Sequence, residues 1–204
     1  MKLQTLRRNG GIAAATIALS LVLAACGDDA AETSDEGSGD DGAAASAGDQ
    51  VFGPGCESVP TTGDGSFDGM VDDPVATAAS ANPLLGTLVT AVTEAGLVET
   101  LNDAEALTVF APTDDAFAAI PPDDLNAVLA DKELLTTILT YHVVGEKLDP
   151  SAVVGEQTTL QGDTVTVAGD EDGMTVNDAN VLCGNIPTAN ATVYVIDAVN
   201  MPPA

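Results

Sequence analysis

The apolar pattern changes its period at Gly145. Before that residue, Leu84, Leu85, Leu88, Val92 and Ala95 recur at spacings of three and four, and Leu134, Leu135, Ile138, Leu139 and His142 do so again. Such spacing puts the side chains on one face of a helix. After Gly145, residues 158–160, 164–167, 174–176 and 193–199 alternate or run apolar and are rich in β-branched side chains, as strands are. Helices crowded into one half and strands into the other predict an α+β fold, not an alternating α/β one.

The punctuation between these stretches is consistent. Residues 74–81 are a short helix candidate, Asn82-Pro83 opens the next helix and Gly96 stops it. Residues 107–111 form a short strand-like run. Thr113 stands before Asp114 and Asp115, which suits a helix start: the hydroxyl caps, and the acids face the positive end of the dipole. Asp123-Asp124 repeats the device, and Asp131 is placed to cap the helix that carries Leu135 and Ile138. Residues 169–173 read as a hairpin loop.

Composition narrows the function. Tryptophan is absent and aromatics are 3% of the chain, so the core must be built from Ala, Val, Leu and Ile, with little available for a stacking platform. Five Lys+Arg face 32 Asp+Glu, and only Lys132 and Lys147 lie beyond residue 26. Nucleic-acid binding needs clustered cations and is excluded, as is a polybasic grip on anionic lipid. The chain's one histidine cannot by itself build a zinc site or a Ser-His-Asp triad, and no cofactor or metal is expected. There is no G-x-S-x-G elbow, Walker loop or G-x-G-x-x-G. The adjacent pairs Asp72-Asp73, Asp114-Asp115 and Asp123-Asp124 sit at helix starts and do not face each other across a cleft as glycosidase carboxyls must. The expectation is a protein that is not an enzyme.

The first 25 residues read as a lipoprotein signal. Lys2, Arg7 and Arg8 form a positive n-region, and residues 12–25 are apolar but shorter than the roughly 20 residues of a membrane-spanning helix. The stretch ends in Leu23-Ala24-Ala25-Cys26, which is similar to a lipobox, with the Cys26 thiol as acceptor for a diacylglyceryl group. An ordinary signal peptide with a chance cysteine is the alternative. Residues 26–50 are Asp, Glu, Gly, Ser and Ala, too polar to offset ordering entropy, and are expected to be a disordered acidic tether. The Asp runs at 35–42 and 170–173 do not fit the spaced calcium loop. Residues 51–70 are turn-rich and expected to be irregular, pinned by Cys56. Once Cys26 is lipidated, Cys56 and Cys183 remain, an even number that suggests one disulfide in an oxidising compartment. Closing a loop of that length stabilises by roughly 4–5 kcal/mol in the chain-entropy model. Two free buried thiols are the alternative.

Three blocks resemble the signatures of the fasciclin (FAS1) domain. They are Thr108-Val109-Phe110-Ala111-Pro112-Thr113-Asp114-Asp115-Ala116-Phe117, then Leu139-Thr140-Tyr141-His142-Val143-Val144, then residues 191–203 from Ala191-Thr192-Val193-Tyr194 to Met201-Pro202-Pro203. With the helix around Leu88 they cover residues 71–204. Within the family the chain resembles the secreted and lipid-anchored mycobacterial antigens, in which the segments matching those around Cys56 and Cys183 are bridged. The resemblance implies a wedge of β-strands flanked by a helix cluster. It also implies an extracellular adhesion or interaction module, tethered by lipid at Cys26 to the cell membrane, or shed from it. The partner expected is a protein or glycan on a host or neighbouring cell surface, and the module is expected to be a monomer. An envelope carrier of an apolar or glycan ligand is the competing expectation.

In animal relatives the Tyr-His segment is tied to integrin contact, and Tyr141-His142 matches it. His142 nevertheless lies four residues after Ile138 and seven after Leu135, on the apolar face, where a histidine serves as a hydrogen-bonded core residue. Tyr141 suits packing with its hydroxyl paired. Asn190-Ala191-Thr192 fits a glycosylation sequon, read here as coincidental.

Overall fold

Two strands without polar alternation run side by side at the centre of the domain. They are β1 (Leu107–Pro112) and, last in the chain, β7 (Ala191–Ile196), paired in parallel from Leu107–Ala191 to Pro112–Ile196. Every residue of both is buried, because each strand is covered on both faces. Val109, Ala111, Val193 and Val195 face a helix layer; Phe110, Tyr194 and Ile196 face the interior of a curled sheet. The computed structural model describes residues 46–203; the signal segment, Cys26 and the tether up to residue 45 lie outside the described residues.

The helices in chain order are α1 (Phe67–Met70), α2 (Val75–Ala81), α3 (Gly86–Glu94), α4 (Val98–Asp103), α5 (Asp114–Ala118), α6 (Pro122–Ala130), α7 (Lys132–Tyr141) and α8 (Pro150–Val153). The remaining strands are β2 (Val143–Val144), β3 (Gly155–Thr158), β4 (Thr164–Ala168), β5 (Thr175–Val176) and β6 (Ala179–Pro187). The sheet order is β2-β1-β7-β6-β5-β4-β3, antiparallel except at β1/β7. Its two edges meet: Val144 bridges Thr159, and the Leu160 amide donates to the Val143 carbonyl at 2.7 Å. The α+β class and the strand wedge with flanking helices stand as expected.

Local chemistry explains the boundaries. Asp131 caps α7 by accepting from Glu133 and Leu134 amides, both at 3.1 Å, and Thr113 caps α5 by accepting from Ala116 at 3.2 Å. Gly96, at φ +72°, ends α3 with bonds from Gly96 to Thr93 and from Leu97 to Val92, which only a left-handed residue sets up cleanly.

Several expectations are corrected. Leu134 is 42% exposed and does not share the buried face of Leu135, Ile138 and Leu139; it sits at the edge of that face, about 100° around the helix from Leu135. The helix after Asn82-Pro83 begins only at Gly86, because the Asn82 side chain first accepts from the Leu84 amide in a turn. The strand expected at 158–160 is β3, ending at Thr158, and that expected at 193–199 ends at Ile196. Residues 46–50, read as the end of the tether, form a 3-10 turn, Ala47–Gln50, tied to the domain by the Asp68 carboxylate, which accepts from Ser46 Oγ and the Ala47 amide. The stretch read as irregular contains the 3-10 turn Pro54–Ser58 and α1.

Candidate functional site

The Tyr141-His142 pair lies where α7 runs into β2. His142 takes the position just past the last helical residue, at φ −87° and ψ 2°, and is 3% exposed. Its Nδ1 is 2.8 Å from the Ile138 carbonyl one turn back, and its Nε2 accepts the Asn200 amide at 3.0 Å. Its own carbonyl accepts the Phe110 amide at 2.9 Å. Burial lowers the imidazole pKa to about 4, against a smaller raising effect of the Ile138 bond, so the ring is neutral at pH 7. With both nitrogens engaged and the ring in the core, His142 is in no position to act as a general base. Tyr141, also 3% exposed, donates its hydroxyl to the Thr164 carbonyl at 3.1 Å and accepts from Asn177 Nδ2 at 3.2 Å. Asn177, at φ +52°, in turn accepts from the Thr166 amide, so this network pins α7 to the β4–β5 hairpin. The motif thus sits inside the domain and joins its two layers.

Cys56 and Cys183 are joined by a disulfide across 127 positions. It ties the Pro54–Ser58 turn to β6, where Phe52 and Gly184 also exchange backbone bonds of 3.2 and 2.8 Å. A Cβ at Gly184 would run into the Phe52 ring, which packs edge-on against Tyr194 with centroids 6.3 Å apart. Burial, with Asp149 and Glu171 adding to it, pushes the Tyr194 phenol up, and its hydroxyl donates to the Leu148 carbonyl.

Beside this staple lies a surface groove of about 420 Å³ with a mixed lining, in which Leu84, Leu182 and Val195 stand beside Ser58, Asp114, Asp115 and Asp197. Two of these carboxylates are engaged locally. Asp114 Oδ1 accepts from the Thr87 amide at 2.6 Å and so caps α3 rather than its own helix; Asp197 accepts from the backbone and side-chain amides of Asn180, both at 2.7 Å. Asp115 is exposed. The cavities between helices and sheet are apolar and small. One of about 70 Å³ is walled by Val75, Leu88, Val92, Leu101 and Leu139, and neighbours of about 30 and 20 Å³ share parts of its wall. Among the described residues no group of three or more His, Cys, Asp or Glu is arranged to hold a metal ion.

Two asparagines that matter most escaped the sequence reasoning. Asn190, noticed only as a sequon, accepts from the Val75 amide at 2.9 Å and points Nδ2 at the Leu101, Asn102 and Ala104 carbonyls at 2.8–3.3 Å. Asn200 holds the end of the chain to His142. Neither carries a local sequence signal, since their partners lie 58 or more positions away.

A helix cluster on a curled mixed sheet, stapled by a disulfide and closed by a buried Tyr-His pair, defines a single α+β domain. The sequence profile of the fasciclin domain matches residues 83–202, and the chain belongs to that family. It is similar to immunogenic protein MPB70 of Mycobacterium bovis, 49% identical over 168 residues, which is 78% of this chain and 86% of the relative. It is also similar to cell surface glycolipoprotein MPB83 of the same species, 50% identical over 148 residues, 70% of this chain and 67% of the relative. A solved FAS1 domain pair from the insect cell adhesion molecule fasciclin I aligns over 57% of this chain and 44% of its own, with 19% identity and a TM-score of 0.49.

Proposed function

We propose that the chain is a lipid-anchored, extracytoplasmic display module that works by surface recognition of a protein or glycan partner and not by catalysis. The observation that carries this is the contrast in the domain's concavities. The groove beside the disulfide is open, of mixed lining with the carboxylates of Asp114, Asp115 and Asp197 on it, and about 420 Å³, within the roughly 300–1,000 Å³ range of ligand sites. The apolar cavity at the helix–sheet junction is about 70 Å³, too small to bury most of a carried lipid. A carrier role is therefore the weaker reading. The Cys56–Cys183 bridge fits an oxidising space outside the cytoplasm. Cys26 is then left for the lipid, and the relative named a cell surface glycolipoprotein supports that address.

The test is a pull-down from envelope and host-matrix extracts, with the chain lacking residues 1–26, at two ionic strengths and beside an Asp115→Asn variant. Acid-steered recognition predicts a retained partner that weakens with salt and with the variant. An apolar ligand co-purifying in place of a macromolecule would favour the carrier.

A further inference from the structure

The chain's last residues are held in an unusual way. Asp197 is fixed to Asn180 by backbone and carboxylate bonds, but residues 198–203 make one hydrogen bond among the described residues: the Asn200 amide to His142 Nε2. This segment roofs a groove between α5, α6 and α7. Val199 and Met201 line it together with Phe117, Leu125, Leu129 and Leu135. The roof is loosely made. Met201 is 51% exposed, and no residue of α6 is fully buried. The Asn200 side-chain Nδ2 is itself buried without a partner, a cost that works against closure.

We propose that residues 198–203 are a strap latched to α7 by the neutral His142 imidazole, and that protonation of this ring unlatches the strap and opens the apolar groove beneath it while the sheet stays folded. A neutral ring with its proton on Nδ1 can donate to Ile138 and accept from Asn200 at once. An imidazolium carries a proton on both nitrogens, so Nε2–H would meet the Asn200 N–H, donor against donor, and one must leave. Asn200 is the partner free to go, since Ile138 belongs to α7. The surroundings add no competing charge. Tyr141, with its ring 6.4 Å from that of His142, is the titratable neighbour on α7. The ring's pKa responds to burial and to the Ile138 bond, and to no ionised group on α7, β1, β2 or the strap. Asp197, at the strap's root, is the carboxylate to control for.

The experiment is an acid titration of the 15N-labelled full chain from pH 7 to pH 3 by two-dimensional NMR. It follows the His142 ring nitrogens, the strap amides of Val199, Asn200 and Met201, and the sheet amides of Val165, Val167 and Tyr194. The expected result is that the strap signals move with the ring, with a midpoint near pH 4, while the sheet signals hold. Asn200→Pro removes the donor N–H without touching His142, and its strap should already be free at pH 7 over an intact sheet. Asp197→Asn should keep the midpoint. Strap signals that do not move, strap and sheet signals lost together, an ordered strap in Asn200→Pro, or a transition abolished by Asp197→Asn would each overturn the latch.

Discussion

The Asn200 backbone amide lies 3.0 Å from Nε2 of His142, on the side of the ring opposite the Ile138 carbonyl. The α7–β2 junction and the segment after β7, 58 positions apart in sequence, therefore meet at one neutral imidazole. The ring's protonation state becomes a property of the fold.

Stability should follow that state. His142 titrates near 6.5 when unfolded and near 4 when folded. Between those values the unfolded chain binds a proton that the folded one refuses, so stability rises with pH. The contribution is complete above about pH 6.5 and falls by about 1.4 kcal/mol per pH unit as pH drops toward 4, roughly 3 kcal/mol in all. Urea unfolding from pH 7 to 4.5 should show this slope, and a His142→Gln chain should lack it. Parallel slopes for the two chains would contradict the assignment.

His142→Ala at pH 7 should cost about 1–3 kcal/mol, because the Asn200 amide and one bond to the Ile138 carbonyl lose their partner in a buried site. Thermal melting measures it. An unchanged melting temperature with lost cell binding would instead return the Tyr-His segment to an adhesive role.

Tyr141→Phe removes a hydroxyl that serves two partners, Thr164 and Asn177, and keeps the packed ring. The expected loss is about 1 kcal/mol, with faster amide exchange in the β4–β5 hairpin than in β1. Equal exchange in both would place the cost elsewhere.

Some of this was legible in the chain and some was not, for identifiable reasons. Strands β1 and β7 announce themselves as apolar runs because both their faces are covered. Strand β6 is nine residues long yet went unread, since Gly184, Asn185 and Pro187 break its pattern and its register against β7 shifts twice. Asp131 was readable as a cap because its partners are two and three residues on. Asp114 is legible as an acid in the first turn of α5, but its bond to the Thr87 amide is not, because that partner is 27 positions back. The core placement of His142 was visible as a four-residue step from Ile138, whose carbonyl is indeed its partner. Asn200, 58 positions away, was not visible at all.

Asn190 makes the same point as a prediction. Its side chain ties α2 and α4 to the turn before β7, so Asn190→Ala should destabilise by roughly 2–3 kcal/mol in urea unfolding, mainly by stranding the Val75 amide. For the same reason the folded chain should carry no glycan at Asn190. An intact-mass shift there would contradict the geometry.

The display role stands or falls on the thiol at position 26. Metabolic labelling of cells with a palmitate analogue should mark the wild-type chain, and Cys26→Ala should abolish the mark while Cys56 and Cys183 stay oxidised. An unlabelled wild type, or equal label on Cys26→Ala, would contradict the anchored module proposed here.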